Sequence, residues 1–294
     1  MPLKPIRTQQ IAMAAHSSSD PPTTGPRGEI EAIEEAFVAQ WSNYGHAPGG
    51  VFHEEDDLVW AEAPVSQLPY NAVLRTWLGQ DAAARIEQVL THFRRRAVQF
   101  LWLVHPTAQP ADLAAQLAAR GLSLVERATG MALDLSAWSA SPDPSPGPVT
   151  YREVQDEQGL GAFEELMAAY WALPADSRSY VFDMNRWAYA AGDRGVRWVA
   201  YLDGQPVGKV YLSYLGRPDT AAIFGVYVRP TARGYGIASA LTALAVARAA
   251  ALGRRRLVLH SSEMAVNIYR RLGFVERCTI PVYATAALHG VQPI

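Results

Sequence analysis

Phe224-Gly-Val-Tyr-Val-Arg-Pro-Thr-Ala-Arg-Gly-Tyr-Gly-Ile-Ala238 is the stretch on which the reading of this chain turns. β-Branched and aromatic residues spell a strand, Pro230 stops it, and a glycine-punctuated turn opens a long helix. Inside it, Arg233, Gly234, Tyr235, Gly236, Ile237 and Ala238 fit the pattern Arg-x-x-Gly-x-Gly/Ala. A strand leading through such a turn presents backbone N–H groups at the positive end of a helix dipole, a seat for a phosphate or pyrophosphate. Gly-Lys-Ser/Thr does not occur, and Ser239 follows where a dinucleotide-binding fingerprint needs a third glycine, so neither of those nucleotide sites is present.

Outward from this stretch, the second half of the chain reads as an ordered series of strands and helices. Val149–Val154 is a short strand, and Leu160–Trp171 a helix with Leu160, Phe163, Leu166, Met167 and Tyr170 on one face. A helical segment follows over about Met184–Ala191. Two strands, Arg197–Leu202 and Val207–Tyr214, flank the hairpin turn Asp203-Gly204-Gln205. After the strand Ala222–Val228 and the glycine turn, a helix runs to about Ala251 with Ile237, Leu241 and Leu244 at helical spacing. Arg256–His260 is a strand, Glu263–Leu272 a helix closed by Gly273, and Val275–Tyr283 a last strand. The order predicts an α+β fold with a mixed sheet rather than a repeated βαβ array.

The proline-rich run from Ser139 to Pro148 reads as a semi-rigid linker that divides the chain. Residues 1–28 read as a disordered leader rich in Ser, Thr, Pro and Gly. Between them, the first part predicts a helix over Ala82–Arg95, a strand over Val98–Val104, a helix over Ala111–Ala119 and a strand pair to Leu135. Its ending, Leu117-Ala-Ala-Arg-Gly-Leu122, echoes Tyr269-Arg-Arg-Leu-Gly-Phe274 of the second part. No Arg-x-x-Gly-x-Gly/Ala occurs in the first part. The pattern implies a duplicated domain of which only the C-terminal copy, 149–294, keeps the chemistry, while 29–138 is a degenerate copy.

Composition narrows the function. The 294 residues are 49% hydrophobic and 18% charged, enough for a sizeable core, with no run approaching a membrane span. The apolar piece Ile11–Ala15 is too short for a signal peptide core. A single cysteine, Cys278, supports neither a disulfide framework nor a cysteine-based metal site. These features predict a soluble cytoplasmic protein. Residues 1–148 hold 10 Lys/Arg against 16 Asp/Glu, a net of −6, and residues 149–294 hold 16 against 12, a net of +4. The basic half is the one with the phosphate seat, as a polyanionic ligand requires. Its basic residues are scattered rather than interleaved with aromatics, so nucleic acid is not an expected partner. His46, His53 and the run Glu54–Asp57 read as a solvated acidic loop, and no metal site is expected.

In the second half, Val226-Tyr227-Val228 before Pro230, the Arg233–Ala238 loop, and Tyr269-x-x-x-Gly273-Phe274 after the next strand follow one another in order. With these three matches, residues 149–285 resemble the GNAT superfamily of acyl-CoA-dependent N-acyltransferases. The whole chain looks like a tandem GNAT protein, an arrangement similar to that of the mycothiol synthases. The resemblance implies two GNAT-like domains, each a mixed twisted sheet flanked by helices.

The resemblance also implies roles. The backbone of Val226 and Val228 would pair with the pantetheine arm of acetyl-CoA as an added strand. The N–H groups of Arg233, Gly234, Tyr235, Gly236, Ile237 and Ala238 would hold the pyrophosphate. Ser262 stands where many members have Asn and is the remaining cofactor-contact candidate. Tyr269 would protonate the departing CoA thiolate, and a backbone N–H near Val226–Val228 would hold the oxyanion. The acceptor would be a primary amine on a small molecule or a terminal amine. Its base is open among Glu263, His260, Asp183 and a water chain, and the aromatics Tyr170, Trp171, Tyr180, Phe182, Trp187 and Tyr189 are candidate acceptor-pocket walls. The alternative is a non-catalytic acyl-CoA-binding or partner-binding module.

Overall fold

A computed structural model of the chain describes residues 26–136, 138, 148–192 and 194–285. The first half runs α1 (Pro26–Gly45), β1 (Val51–Glu54), β2 (Leu58–Glu62), β3 (Ala72–Thr76), α2 (Ala82–Arg96), β4 (Leu101–Leu103), α3 (Leu113–Ala119) and β5 (Ser123–Asp134). The second runs β6 (Val149–Glu153), α4 (Glu157–Tyr170), α5 (Ala175–Ala190), β7 (Gly195–Leu202), β8 (Gln205–Ser213) and β9 (Thr220–Val228). A 3₁₀ turn, Pro230–Ala232, leads on to α6 (Ile237–Ala251), β10 (Arg256–Ser261), α7 (Val266–Arg271) and β11 (Val275–Ala284).

Among the described residues, eleven strands join one mixed sheet in the order β1-β2-β3-β4-β11-β5-β10-β9-β8-β7-β6. The order is close to a palindrome. β3 and β4 are parallel, as are β9 and β10, and each parallel pair sits beside an antiparallel meander. At the centre the final strands of the two halves have changed places. β5 of the first half pairs antiparallel with β10 of the second, with Leu257 opposite Leu133 and Leu259 opposite Met131. β11 of the second half pairs with β4 of the first, with Tyr283 opposite Trp102. The two also pair with each other along nearly their whole length.

Helices cover both faces. On one, α6 and α7 bury Ile237, Leu241, Val246 and Tyr269 against Leu257, Leu259, Met131 and Leu133. Farther along that face α2 and α3 bury Ile86, Phe93, Leu113 and Leu117 against Trp102 and Tyr283. On the other, α4 and α5 pack Phe163, Leu166 and Val181 on Val199 and Tyr211, and α1 lays Ile33, Phe37 and Trp41 over Leu101, Ala132, Val258 and Ile280. Each such large side chain contributes about 1.5–3 kcal/mol when fully buried. Alternation in β10 divides the two cores: Leu257 and Leu259 face α6, and Val258 faces α1.

Several expectations need correction. The helix expected at Met184–Ala191 begins at Ala175, and the expected strand pair ending at Leu135 is the single strand β5. The helix expected over Glu263–Leu272 starts at Val266, because Glu263–Ala265 form a turn in which the N–H groups of Ala265 and Val266 both donate to Ser262 O. Residues 1–25 of the expected leader and 139–147 of the expected linker lie outside the described residues, whereas Pro26–Gly28 already belong to α1. Cys278 is a half-buried thiol in β11, raised to a pKa of about 11 chiefly by burial.

The match between the two halves extends to a helix ending. In α3, Arg120 and Leu122 donate their N–H groups to Leu117 O at 3.1 and 3.2 Å, and in α7 Leu272 and Phe274 donate to Tyr269 O at 3.0 and 3.1 Å. Gly121 and Gly273 occupy the left-handed position at φ +87° and +92°, where a Cβ would be strained.

Candidate active site

The site begins where two parallel strands part. β9 and β10 pair only from Thr220–Arg256 to Ile223–Leu259. Beyond that point β9 continues to Val228 along β8, and β10 continues to Ser261 along β5. From Phe224 to Val228, the edge of β9 that faced β10 is therefore left without a neighbouring strand, the geometry an extended ligand needs to add itself as a strand.

A bulge sharpens the divergence. Lys209 faces Tyr227 and Tyr211 faces Phe224, so Gly225 and Val226 stand opposite the single residue Val210. Gly225 takes φ +56°, and its carbonyl accepts from Lys209 Nζ at 2.7 Å.

Past the strand, the chain turns through Gly234 at φ +89° and Gly236 at φ +72°, the latter being the N-cap of α6. Both backbone positions favour glycine, and Gly236 leaves the first N–H groups of a 15-residue helix pointing out of its N-terminus. A cleft there is lined by Val226, Val228, Arg233, Gly234, Gly236, Ile237, Ala238, Ser262 and Tyr269. The structure thus gathers nine of the ten expected site residues around one opening. The tenth, Tyr235, is 57% exposed and outside the lining. Arg271, Met264 and Ser239, which sequence reasoning did not single out, also line it.

A second cavity lies behind the first, between the halves. α1 gives it Phe37, Gln40, Trp41 and Tyr44, and Pro69 and Tyr70 come from the segment between β2 and β3. The second half gives Phe163, Met184, Arg197, Lys209, Tyr211 and His260. Tyr170, Val226, Ser262, Ala265 and Tyr269 line both spaces, so the cleft and the cavity meet at these five residues.

Electrostatics at that junction favour protonated phenols and ease the loss of a proton from the Lys209 ammonium. Burial raises the Tyr269 pKa. Burial first, then the neighbouring Tyr269 and Glu126, raise that of Tyr170. Lys209 is lowered from the usual 10.5 to about 7, by burial first and by the nearby Arg197 second. Burial likewise drives His260, stacked on Phe37 at 4.3 Å, well below its ordinary range. Of the base candidates, Glu263 and Asp183 are exposed and line neither space; His260 lines the cavity. Of the six expected pocket aromatics, Tyr170 and Trp171 line the cavity, and Tyr180, Phe182, Trp187 and Tyr189 pack on the α4–α5 core.

Lys209 and Arg197 went unseen because a cation inside a short amphipathic strand normally points to water. The available signal was the apolar run around Lys209, Val207-Gly-Lys-Val-Tyr-Leu212.

Among the described residues the first half has no such opening. Where β3 runs past β4, Trp77 bridges Gln109, Gln109 N–H donates to Thr76 O at 2.9 Å, and Leu78 N–H donates to Gln109 O at 3.0 Å. The chain's own loop fills the place that stays open in the second half.

Comparison with known proteins agrees with this geometry. Residues 161–274 match the model of the Acetyltransferase (GNAT) family, and this part of the chain is a GNAT acetyltransferase domain, an enzyme class that transfers an acyl group from acyl-CoA. Over 278 aligned residues the chain is 27% identical to the mycothiol acetyltransferase of Cellulomonas flavigena, covering 78% of this chain and 79% of that protein. A GCN5-related N-acetyltransferase from Kribbella flavida has the same fold with TM-score 0.62 and 17% identity, over 85% of this chain and 95% of that one. So does a tandem GNAT protein from the clavulanic acid biosynthesis pathway, with TM-score 0.58 and 17% identity, over 87% of this chain and 93% of that one. The fold is the tandem GNAT architecture. Among the described residues no helix is long and apolar enough to cross a membrane.

Proposed function

We propose that this chain moves an acetyl group from acetyl-CoA to a primary amine of a small molecule by direct attack on the thioester. The observation that carries the reading is the junction of cleft and cavity at Val226, Ser262 and Tyr269. One side suits an extended phosphate-bearing ligand, the other a compact acceptor.

In this reading Val226 and Val228 hold the pantetheine arm through the free edge of β9. The loop from Arg233 through Gly234, Tyr235, Gly236 and Ile237 to Ala238 holds the pyrophosphate at the α6 N-terminus, and Ser262 contacts the cofactor near the thioester. Tyr269, kept protonated by burial, gives its proton to the departing thiolate. The bulge at Gly225–Val226 turns a backbone N–H toward the developing oxyanion. Residues 149–294 are the catalytic unit and residues 29–138 a degenerate copy that supplies one wall of the acceptor cavity. A single, free cysteine supports a cytoplasmic setting.

Calorimetry with acetyl-CoA, followed by thiol release over a panel of amines, tests the reading. Binding with turnover of some amine is the expected result. Binding without turnover of any amine would leave a ligand-binding module, and absence of binding would overturn both.

A further inference from the structure

Helix α1 turns one face toward the cavity between the halves, through positions 37, 40, 41 and 44, which helical spacing places side by side. Phe37, Trp41 and Tyr44 are aromatic, and Gln40 is the polar residue among them. Gln40 is 2% exposed, and neither its Oε1 nor its Nε2 has a hydrogen-bond partner. Tyr70, 5% exposed, lines the same space with an unpartnered hydroxyl, and His260 lines it with an unpartnered Nε2. Buried groups of this kind are normally paired.

Two amides close by are paired. Asn71, wholly buried and next to Tyr70 in the chain, accepts from Ala63 N–H at 3.0 Å and donates to Val65 O at 2.7 Å. Asn185, which also lines the cavity, donates to Glu164 at 3.3 Å. Gln40 differs in having no protein group to bond. A hydrocarbon at position 40 would complete the apolar face of α1 at lower cost, because a buried amide left unbonded is worse than an apolar group of the same shape.

We propose that the cavity takes an amine bearing an uncharged hydrogen-bonding group, hydroxyl or amide, and that Gln40 and Tyr70 bind that group and so set acceptor specificity. The proposal rests on the acetyltransferase reading above and names its substrate class. Gln40 offers two donors and an acceptor, and Tyr70 a donor and an acceptor. A hydroxyl or an amide has both kinds of atom and satisfies either residue. A hydrocarbon amine leaves them unbonded, and a site built around hydrogen bonds strongly rejects an analogue that lacks the matching group. The amine end then lies toward Val226, Ser262 and Tyr269, where cavity and cleft meet. Charge is not the discriminator: Lys209 and Arg197 line the cavity and the charge of Glu126 reaches Tyr170 on its wall, so both signs act there. Gln40 and Tyr70 both belong to the first half, which thereby keeps a part in recognition without a glycine loop of its own.

The test uses matched pairs on the full chain: tyramine with its para-methyl analogue, trans-aminocyclohexanol with trans-methylcyclohexylamine, both substituted across the ring, and aminobutanamide with isohexylamine. The members of a pair match in size and charge, so Lys209, Arg197 and Glu126 act alike on both. Thiol release gives kcat and KM for wild type, Gln40→Met and Tyr70→Phe, and calorimetry gives acetyl-CoA affinity for each. Wild type is expected to favour the polar member by about tenfold or more in kcat/KM. Each variant should shrink that ratio by roughly tenfold, mainly through KM, with acetyl-CoA affinity kept. A preference seen only in the hydroxyl pairs, or only in the amide pair, supports the proposal and identifies the group. Gln40→Met should also raise the melting temperature of the ligand-free protein, since methionine keeps the length and removes the unbonded amide. A fall in melting temperature would show that the amide serves the fold and overturns the proposal. So does equal or better turnover of the hydrocarbon members by wild type, or a preference that both variants leave intact. Acetyl-CoA binding without turnover of any amine, or no binding at all, overturns the acetyltransferase reading beneath it.

Discussion

Leu117 and Tyr269 hold the same position in the two halves of the molecule, each with a carbonyl that accepts from the residues three and five places on. The backbone is conserved between the copies and the side chain is not. Leu117 is wholly buried in the α2–α3 core, while Tyr269 sits where cleft and cavity meet. One copy keeps a phenol at that point, the other only a hydrocarbon.

Tyr269→Phe should therefore remove a proton donor while keeping the ring that packs edge-on against Phe274 at 5.8 Å. We expect kcat to fall by about 10²–10⁴-fold, with acetyl-CoA affinity unchanged. A fall below threefold would remove Tyr269 from the chemistry.

Gly225→Ala tests the bulge. A Cβ at φ +56° would stand 2.7 Å from Lys209 Nζ, so the lysine must leave the Gly225 carbonyl and the backbone is strained by about 1–2 kcal/mol. The expected outcome is loss of acceptor turnover and a lower melting temperature, with the α6 loop still able to bind acetyl-CoA. Steady-state kinetics beside thermal unfolding would separate the two effects.

Lys209→Met should stabilise the protein in a pH-dependent way. The folded chain lowers the Lys209 pKa from 10.5 to about 7, so between these values the unfolded chain binds more protons and wild-type stability rises with pH. Below pH 7 the full cost of the buried charge is present in wild type. The stability advantage of Lys209→Met is thus greatest below pH 7 and shrinks as pH rises toward 10.5. Denaturant unfolding of both proteins across that range checks it, and a constant or growing difference would count against the assignment.

The glycine loop, Tyr269 and the strand before Pro230 were legible because each is a local pattern whose chemistry depends on spacing alone. The cavity between the halves was not. Gln40, Tyr70 and Lys209 lie far apart in sequence and meet only through strand order, which no window of residues encodes. Helix α1 went unread although Ile33, Phe37, Gln40, Trp41 and Tyr44 recur at helical spacing, because its glutamates at 29, 31, 34 and 35 interrupt the apolar stripe. Three of them serve the join between halves: Glu35 accepts from Arg217 Nη2 at 2.8 Å, Glu31 lies 3.7 Å from the same guanidinium, and Glu29 pairs with Arg277. The duplication was visible in the six residues Leu117–Leu122 and Tyr269–Phe274, but the exchange of β5 and β11 was not, since either pairing satisfies the same alternation.

Separating the halves should be destructive. A chain of residues 148–285 lacks β5, and β10 loses the partner that spans Arg256–Ser261. We expect it to be poorly soluble and to bind acetyl-CoA far more weakly than the full chain, with recovery on co-expression of residues 26–136. A cooperative unfolding transition and full acetyl-CoA affinity in the isolated piece would show that β11 can take the place of β5 beside β10.

That exchange also sets a timetable for synthesis on the ribosome. β4 is made early, yet its neighbour on one side is β11, the last described strand to emerge. The first half must wait with an open, apolar strand edge while more than half the molecule is still being translated, a state in which contacts distant in sequence are slow to form and misassembly is easy. A nascent chain of this protein stalled before Val275 is the form in which a chaperone would find it.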